Sequence, residues 1–383
     1  MNNKLKIKIN GTNIQSLFFA LFLVKIEEID IHLSLTSKSS LFKEKFYILN
    51  HSTKLILEKL RLWEKLEPKL YGINSISFYN NNLKEEISFQ SEDIYSLSKN
   101  DVNILWTLNQ ADLVEILLKE LSNKKNLYFL KNNDPKSIKK DSYYDFCLYD
   151  SYSNLKKYYQ NKILKPLFSG SYIIFKVIVR ENIERKFYQN FLSKESLLML
   201  PLEKNIYQII WKTNTLNSKK QFNLNENLIL DNLSTILPDG FKLDQIIGDI
   251  NILSNSVSHS NSFRFYRNIL FYNKLKCFTN NIFINELNTF LLDLKNLIEV
   301  LSSHKTINSN LLRNLKYRFH IKSFIMNFSK QYIKKTSIKI LIRFDFIPKL
   351  LIRSYFVFFK RNHFIKKLFK DIFLKSIFTS LIK

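Results

Sequence analysis

The first 35 residues pass from an alternating pattern to a helical one and back again. Polar and apolar side chains alternate over residues 4–9, an apolar stretch covers residues 14–26, and alternation returns over residues 29–35. A polar turn at residues 10–13 separates the first strand pattern from the helical one. This order predicts a β-α-β unit with parallel strands, because a helical crossover brings the second strand back in the direction of the first.

Apolar residues recur at helical spacing in three further stretches before residue 240. The predicted helices cover residues 52–66, 111–122 and 225–237. Ser52 or Thr53 is the expected N-cap of the first of these helices, because a short side-chain oxygen can accept from the free N–H groups there. A short apolar run predicts a strand at residues 144–149, and the polar segments at 132–142 and 238–240 predict loops.

Strand-like alternation replaces the helical spacing between residues 170 and 211. The predicted strands cover residues 172–180, 196–200 and 206–211. Short alternating strands close together in sequence favour an antiparallel sheet packed beside the first domain. From about residue 282 onward the spacing is helical. The pattern therefore predicts an α/β protein whose second layer of strands is antiparallel.

The composition narrows the class of protein. The chain has 383 residues, of which 45% are hydrophobic, so it can bury a sizeable core as one large domain or two ordinary ones. It has five glycines, where an average chain of this length carries roughly 27. Disordered, collagen-like and linker-type chains are excluded on this composition.

The cysteines and the apolar runs indicate the cellular compartment in which the protein resides. Cys147 and Cys277 lie far apart and form no CxxC pair, which excludes a disulfide scaffold or a zinc ribbon and favours a reducing compartment. No apolar run reaches the ~18–20 residues that a membrane span needs, and the N-terminus has no signal-peptide pattern. We therefore expect a cytoplasmic protein.

The positive charge is concentrated in the last 83 residues. Residues 301–383 contain 19 of the 59 lysines and arginines but only two of the 33 acidic residues. Within residues 345–383, apolar side chains recur at helical spacing with lysines between them, which is typical of a basic amphipathic helix on an anionic membrane surface. An ordinary core helix is the alternative. Nucleic-acid binding is disfavoured, because no recognition motif accompanies the charge.

Five segments, in the same order and at similar spacing, resemble the flavin-dependent aromatic hydroxylases. The resemblance is to the branch that hydroxylates polyprenylated phenols in quinone biosynthesis. The segments are KFYILNHSTKLILEKLRLWEKLEP (45–68), DSYYDFCLYDSYSNLKK (141–157), LLMLPLEKNIYQIIW (197–211), DNLSTILPDGF (231–241) and NTFLLDLKNLIEVL (288–301). The resemblance covers roughly residues 4–300, with a weaker match through the tail.

The resemblance implies a fold and a domain organisation. A Rossmann-like FAD-binding domain would comprise residues 1–165 together with residues 255–300, and an inserted antiparallel substrate domain would cover residues 166–254. Residues 301–383 would form a basic helical tail. The implied ligands are FAD and a lipophilic, quinone-like aromatic molecule.

The FAD motifs of the family are degenerate in this chain. The family's GxGxxG turn lets the pyrophosphate approach backbone N–H groups at a helix N-terminus. Its three glycines are replaced by Asn10, Thr12 and Gln15, and only Gly11, a filler position, remains. Asparagine tolerates a positive φ better than most residues, which would preserve the turn. Thr12 and Gln15 instead place side chains where the phosphate and the sheet should come close.

The other FAD positions are only partly kept. No acidic residue lies near Leu35 and Thr36, where the family holds the adenosine ribose. Lys45 matches one family arginine in charge, and Gln110 or Ala111 replaces a second arginine. Asp150 keeps half of the family's Asp-Gly pair. The glycine segment that precedes the family's last helix is missing, although Asn288 and Asp293 retain that helix's own spacing.

No other catalyst stands out in the sequence. The six histidines form no metal-binding pair, and they are His32, His51, His259, His304, His320 and His363. His51 is expected to be a turn or cap residue. The three tryptophans are expected to be core anchors, and they are Trp63, Trp106 and Trp211.

Three hypotheses follow from these observations. In the first hypothesis the chain is an FAD-dependent monooxygenase that acts on a quinone precursor and has a degenerate cofactor site. In the second it is a flavin-free, membrane-associated binding or scaffold descendant of that family. The third is a basic nucleic-acid-binding protein. The loss of glycines at two separate flavin contacts favours impaired or lost flavin binding.

Overall fold

A computed structural model describes fourteen stretches of the chain and Tyr317. They are residues 4–11, 13–35, 45–80, 85–90, 103–130, 143–149, 169–180, 185–191, 195–213, 225–237, 241–256, 263–266, 269–272 and 286–302. The loops predicted at 132–142 and 238–240, and the basic helix at 345–383, lie outside the described residues.

A six-stranded sheet forms the first layer, in the order β15-β16-β9-β1-β2-β8. Its strands are β1 (Leu5–Asn10), β2 (Ile29–Ser34), β8 (Leu127–Phe129), β9 (Phe146–Tyr149), β15 (Phe263–Tyr266) and β16 (Ile269–Tyr272). All neighbours are parallel except β15 and β16. The β-α-β unit predicted for the first 35 residues is therefore confirmed.

Three helices cover one face of this sheet. They are α1 (Ile14–Leu23), α4 (Gln110–Ser122) and α6 (Glu286–Ser302). Their buried residues form one core with alternate side chains of β1 and β2, such as Ile7 and Ile31. Phe19 of α1 meets Phe290 of α6 edge to face, at 5.6 Å between ring centroids.

A three-stranded antiparallel sheet lies beside this core. Its strands are β3 (Phe46–Leu49), β4 (Tyr71–Ile73) and β7 (Leu105–Asn109), in the order β3-β7-β4. Between β3 and β4 run α2 (His51–Lys59), the short helix α3 (Trp63–Leu66) and a 3₁₀ turn. Trp63 and Trp106 stack edge to face and are 5% and 6% exposed, so both are core anchors, as predicted.

The helix predicted over residues 52–66 is interrupted. α2 ends at Lys59 and α3 begins at Trp63, and between them Arg61 has a φ of 60°. A left-handed residue cannot continue a right-handed helix. The N-cap is Asn50, whose side chain accepts from Thr53 N, and not Ser52 or Thr53 as predicted.

A seven-stranded sheet forms the second layer, in the order β14-β10-β13-β12-β11-β5-β6. Its strands are β5 (Ser75–Asn80), β6 (Glu85–Gln90), β10 (Ser169–Val179), β11 (Lys186–Phe191), β12 (Ser196–Glu203), β13 (Ile206–Thr213) and β14 (Leu243–Ser256). Every pair except β11 with β5 is antiparallel, as the alternation between residues 170 and 211 predicted.

The helix α5 (Glu226–Ile236) covers one face of the seven-stranded sheet. Ile229 and Leu233 of α5 pack on the side chains that point to this side, including Trp211, which is 2% exposed. The opposite face meets the three-stranded sheet, where Thr107 Oγ1 donates to the carbonyl of Pro201 at 2.9 Å. This opposite face therefore lies between the two layers of the protein.

Candidate functional site

The strands β1, β2 and β9 end at the same level of the six-stranded sheet. Asn10, the last residue of β1, is in register with Ser34 on β2 and with Tyr149 on β9. The helix α1 begins directly after β1. In open α/β sheets, ligands bind at the carboxyl ends of the strands, and anions bind at the first helix N-terminus. This edge is therefore the candidate nucleotide site.

The N-terminus of α1 is capped by its own asparagine. Asn13 Oδ1 accepts hydrogen bonds from Gln15 N at 3.1 Å and from Ser16 N at 3.2 Å, and also from the hydroxyl of Ser16. These backbone N–H groups belong to the first turn, where a bound phosphate would seek its donors. The side chain of Asn13 thus occupies a place that the phosphate would need.

Gln15 stands where the family has its third glycine. Its side chain is 2% exposed, and the neighbouring Ser16 is fully buried. In dinucleotide-binding turns this glycine permits close contact between helix and sheet. Here a glutamine side chain is buried in the first turn of α1.

The turn after β1 is extended at its first residue. Asn10 pairs as a regular strand residue, and among the described non-glycine residues the positive φ values occur at Arg61 and Asn205. Asn10 therefore does not use the positive φ that asparagine tolerates. Gly11 N donates to the carbonyl of Ser34 at 3.1 Å, so this glycine ties the turn to β2.

The end of β2 offers no carboxylate. Ser34 is 2% exposed, and Leu35 follows it. Thr36 lies outside the described residues, as do Thr12 and Asp150. A serine hydroxyl can hydrogen-bond a ribose but supplies no charge.

Lys45 and Gln110, two positions given by the resemblance, lie together. Gln110 N donates to the carbonyl of Lys45 at 2.7 Å. The side chain of Gln110 is held in place, because Tyr47 donates to its Oε1 at 2.7 Å and only 4% of the residue is exposed. Asn109 caps α4 by accepting from Ala111 N. These residues form a polar junction between β3 and α4.

His51 and Asp145 lie at the starts of secondary-structure elements. His51 is the first residue of α2. Asp145 accepts a hydrogen bond from Lys6 N at 2.8 Å, just before β9. Among the described residues, no three His, Cys, Asp or Glu side chains gather in a way that could hold a metal ion. Within the same residues, no helix has the length and apolar character that a membrane span requires.

Asn13 is the site residue that sequence reasoning missed. Asparagine directly before an apolar helix is a standard N-cap pattern, so the cap itself was predictable. Its Nδ2 is buried and has no hydrogen-bond partner within the described part of the chain. The Asn13 side chain therefore occupies the N–H groups of Gln15 and Ser16, while its own Nδ2 donates no hydrogen bond within the described residues.

A second set of polar groups lies between the two layers. Gln189 on β11 and Gln208 on β13 are 3% and 7% exposed, and burial lowers the pKa of Lys212 on β13. By strand parity these three side chains point away from α5, toward the nucleotide layer. A ligand between the layers would contact this face.

Comparison with known proteins identifies the fold. No protein-family model and no curated protein sequence matches this chain. Among solved structures, PqsL of Pseudomonas aeruginosa, a probable FAD-dependent monooxygenase, has a TM-score of 0.63 at 10% identity, over 97% of this chain and 100% of that chain. The p-nitrophenol 4-monooxygenase PnpA of Pseudomonas putida has a TM-score of 0.62 at 11% identity, over 98% and 99%.

A halogenase shares the same architecture. CmlS, a flavin-dependent halogenase, has a TM-score of 0.63 at 12% identity, over 85% of this chain and 63% of that chain. At these identities the likeness shows the fold. The chain therefore has the fold of the flavin-dependent monooxygenases and halogenases, as the segment resemblance implied.

The described residues at the nucleotide edge differ from the family's pyrophosphate-binding turn. The side chain of Asn13 accepts from the N–H groups of Gln15 and Ser16, and the buried Gln15 stands in place of the family's third glycine.

Proposed function

We propose that this chain is a descendant of the flavin-dependent aromatic monooxygenases in which flavin binding is impaired. It retains the binding of an aromatic ligand between its two layers. The observation that carries the proposal is the cap on α1, where Asn13 holds two of the N–H groups that would bind a phosphate. The lost glycine at Gln15 and the absence of an acid at Ser34 and Leu35 support it.

FAD would compete with Asn13 for the backbone N–H groups at the start of α1. A hydrogen bond to a charged phosphate contributes about 1.5–3 kcal/mol, roughly twice a neutral one. With Gln15 N and Ser16 N already bonded, FAD must first displace the amide of Asn13. Losing that cap costs about 1 kcal/mol, and the turn lacks the three family glycines that let the phosphate approach the backbone.

The fold and the polar face between the layers both favour an aromatic ligand. PnpA is a p-nitrophenol monooxygenase, and PqsL has been crystallised with 2-aminobenzoylacetate, so aromatic molecules recur among proteins of this fold. We propose a polyprenylated aromatic precursor of a quinone as the ligand. The segments at residues 45–68 and 197–211, which resemble that branch, support this choice.

Retained FAD-dependent monooxygenase activity is the second candidate function. It is favoured by one observation, the buried Asn13 Nδ2 that has no partner in the described structure. That N–H group could donate to a phosphate oxygen in place of the blocked backbone groups.

The absorbance of the purified protein in the visible flavin bands distinguishes the two candidates. We expect a protein from riboflavin-sufficient cells to carry far less than one flavin per chain and to take up added FAD weakly. PnpA, purified in parallel, is the positive control. A yellow protein with stoichiometric flavin would overturn the proposal and favour the second candidate.

We also propose that the protein associates peripherally with anionic membranes through residues 345–383. The support is their basic, amphipathic sequence. In co-sedimentation with phosphatidylserine-containing liposomes, the full chain should pellet and a chain ending near residue 345 should stay in the supernatant. The binding should weaken at high salt, because surface charges are screened. Equal pelleting of both chains would contradict the proposal.

A further inference from the structure

Three helices end close together, and each is followed by a cation. Lys25, Arg61 and Lys124 come directly after the C-cap residues of α1, α2 and α4 respectively. All three residues are exposed to solvent. These three residues are called the basic cluster.

Hydrogen bonds hold the three helix ends together. Lys25 Nζ donates to the carbonyl of Lys59, the last residue of α2, at 3.2 Å. After α4, the side-chain amide of Asn126 donates to the carbonyls of Val24 and Ile26 at 3.2 and 3.4 Å. The turns that follow α1, α2 and α4 therefore meet at one place on the surface.

Arg61 occupies a backbone position that normally belongs to glycine. Its φ is 60°, the left-handed conformation that glycine most often supplies just after a helix. Arg61 N donates to the carbonyl of Glu58 at 2.8 Å. Leu62 N donates to the carbonyl of Leu57 at 2.9 Å, which completes the Schellman motif that ends many helices. Glycine would adopt this conformation with less strain, so a change to glycine removes the arginine side chain without disturbing the turn.

The basic cluster has no carboxylate partner in the described part of the chain. Lys25, Arg61 and Lys124 form no ion pair with any residue described there. Burial and the positive charges of Arg61 and Lys124 lower the pKa of Lys25. The lysine of the neighbouring helix α3 differs, because Lys65 pairs with Glu120. The cations of the basic cluster thus repel one another instead of being neutralised.

The helix ends offset only part of this charge. The C-terminus of a helix carries about half a negative charge, so three of them supply roughly −1.5 against three full positive charges. The exposed Glu27 and Glu28, in the same turn as Lys25, make no ion pair with the cluster. A dianion between the three side chains would relieve their repulsion. Phosphate suits them, since a guanidinium donates paired hydrogen bonds to two of its oxygens and ammonium groups bind it as point charges.

The basic cluster is separate from the nucleotide edge. It lies at the C-terminal end of α1, whereas the nucleotide edge lies at the N-terminal end of the same helix. The ten residues of α1 separate the two places by about 15 Å, at ~1.5 Å per residue. A ligand of the basic cluster therefore requires neither flavin nor an aromatic ligand between the layers.

We propose that Lys25, Arg61 and Lys124 form a surface site for the phosphate group of a phosphorylated ligand. Arg61 donates to two phosphate oxygens, and the two lysines neutralise the remaining charge. A lipid headgroup and a soluble phosphate ester both present this group, with the same chemistry at the three side chains. The site goes beyond the proposed function and is independent of it.

Protection of lysines from acetylation tests the site in the full chain. An amine-reactive ester modifies exposed lysines, and mass spectrometry of the peptides reads each lysine separately from those of residues 345–383. The probes are glycerol 3-phosphate and vesicles of phosphatidylcholine with phosphatidic acid, which carry the same phosphomonoester in soluble and in lipid form. At about ten times its Kd, a bound probe should slow the acetylation of Lys25 and Lys124 roughly tenfold. The exposed Lys204, in the turn between β12 and β13, should react at an unchanged rate.

Two variants separate binding from folding. Arg61→Gly removes the guanidinium and relieves the left-handed strain, so it should keep the melting temperature. The probe concentration for half protection of Lys25 should rise roughly tenfold, because one charge-assisted contact is lost. Lys124→Gln, an exposed change that leaves the turn after α2 intact, should shift it in the same direction. The matched control is Asn205→Gly, at the other described non-glycine residue with a positive φ, 62°, and it should leave the protection unchanged.

The two probes also identify the source of the phosphate. Protection by glycerol 3-phosphate would indicate a soluble ligand, and protection by the vesicles alone would indicate a lipid headgroup. No protection of Lys25 by either probe, equal protection of Lys204, or full protection in both Arg61→Gly and Lys124→Gln would each overturn the proposal.

Discussion

Replacing Asn288 with alanine is expected to lower the free energy of unfolding by about 2–4 kcal/mol. Asn288 lies in the first turns of α6 and is 6% exposed. Its Oδ1 accepts from Thr53 Oγ1 at 2.5 Å, and its Nδ2 donates to the carbonyl of Ile48 at 2.9 Å. The substitution leaves a buried hydroxyl and a buried carbonyl without their partner, and each such group costs about 1–3 kcal/mol.

The matched control is Asn296→Ala, on the same helix but exposed to solvent. It should change the stability by less than about 0.5 kcal/mol, since exposed sites away from specific contacts rarely matter. Urea denaturation followed by circular dichroism measures both variants. If the two variants lose the same stability, the amide of Asn288 does not hold α6 against β3 and α2.

The hydrogen bond between Thr53 and Asn288 gives a structural reason for part of the family resemblance. The segments at residues 45–68 and 288–301 are far apart in sequence, yet Thr53 and Asn288 meet in the core. The retained spacing of Asn288 in α6 is therefore accounted for by a structural bond. Its retention is evidence for the fold and carries no implication for flavin binding.

The sequence predicted the helices and strands in which apolar side chains recur with a clear period. The β-α-β unit, the helix at residues 111–122 and the antiparallel strands after residue 170 were all correct, because burial on one face imposes that period on the side chains. The helix at residues 225–237 was also correct, with Asn225 before its first residue.

Other elements gave too weak a pattern for prediction. The strands β3, β4 and β7 are three to five residues long, so few alternations exist to be counted. β5 and β6 contribute to the seven-stranded sheet from a distant part of the chain, through the parallel pairing of β5 with β11. Non-local pairing of this kind depends on the whole fold and leaves no local trace. The break at Arg61 is a backbone turn with a φ of 60°, in which Leu62 N donates to the carbonyl of Leu57 at 2.9 Å, and the apolar spacing does not show it.

The candidate site was predictable in part. The replacement of family glycines at Asn10, Thr12 and Gln15 is visible in the sequence, and so is the N-cap preference of Asn13. The sequence does not show that the amide oxygen of Asn13 accepts from two backbone N–H groups at the nucleotide edge. The unpartnered oxygens of Gln189 and Gln208 also need a structure, because the sequence does not say which polar residues are left unsatisfied.

Combining Asn13→Ala with Gln15→Gly is expected to raise the affinity for FAD on the order of tenfold. The alanine frees Gln15 N, whereas Ser16 N keeps its hydrogen bond to the backbone carbonyl of Asn13 at 3.2 Å. One freed N–H group contributes about 1.5 kcal/mol to a phosphate contact, which is a factor of roughly 10. The glycine removes a buried side chain from the first turn of α1 and would allow closer approach of a phosphate to the backbone. Quenching of flavin fluorescence on titration measures the affinity.

The same double change should cost about 1–2 kcal/mol of stability, because α1 loses its cap and gains a glycine in its first turn. The control is Asn50→Ala, which removes the equivalent side-chain cap from α2 and frees the Thr53 N–H away from the nucleotide edge. It should lose similar stability and gain no affinity for FAD. An increase in the affinity for FAD in both variants would reflect a loosened fold. No increase in the double variant, with folding intact, would mean that the cap on α1 is not what keeps FAD out.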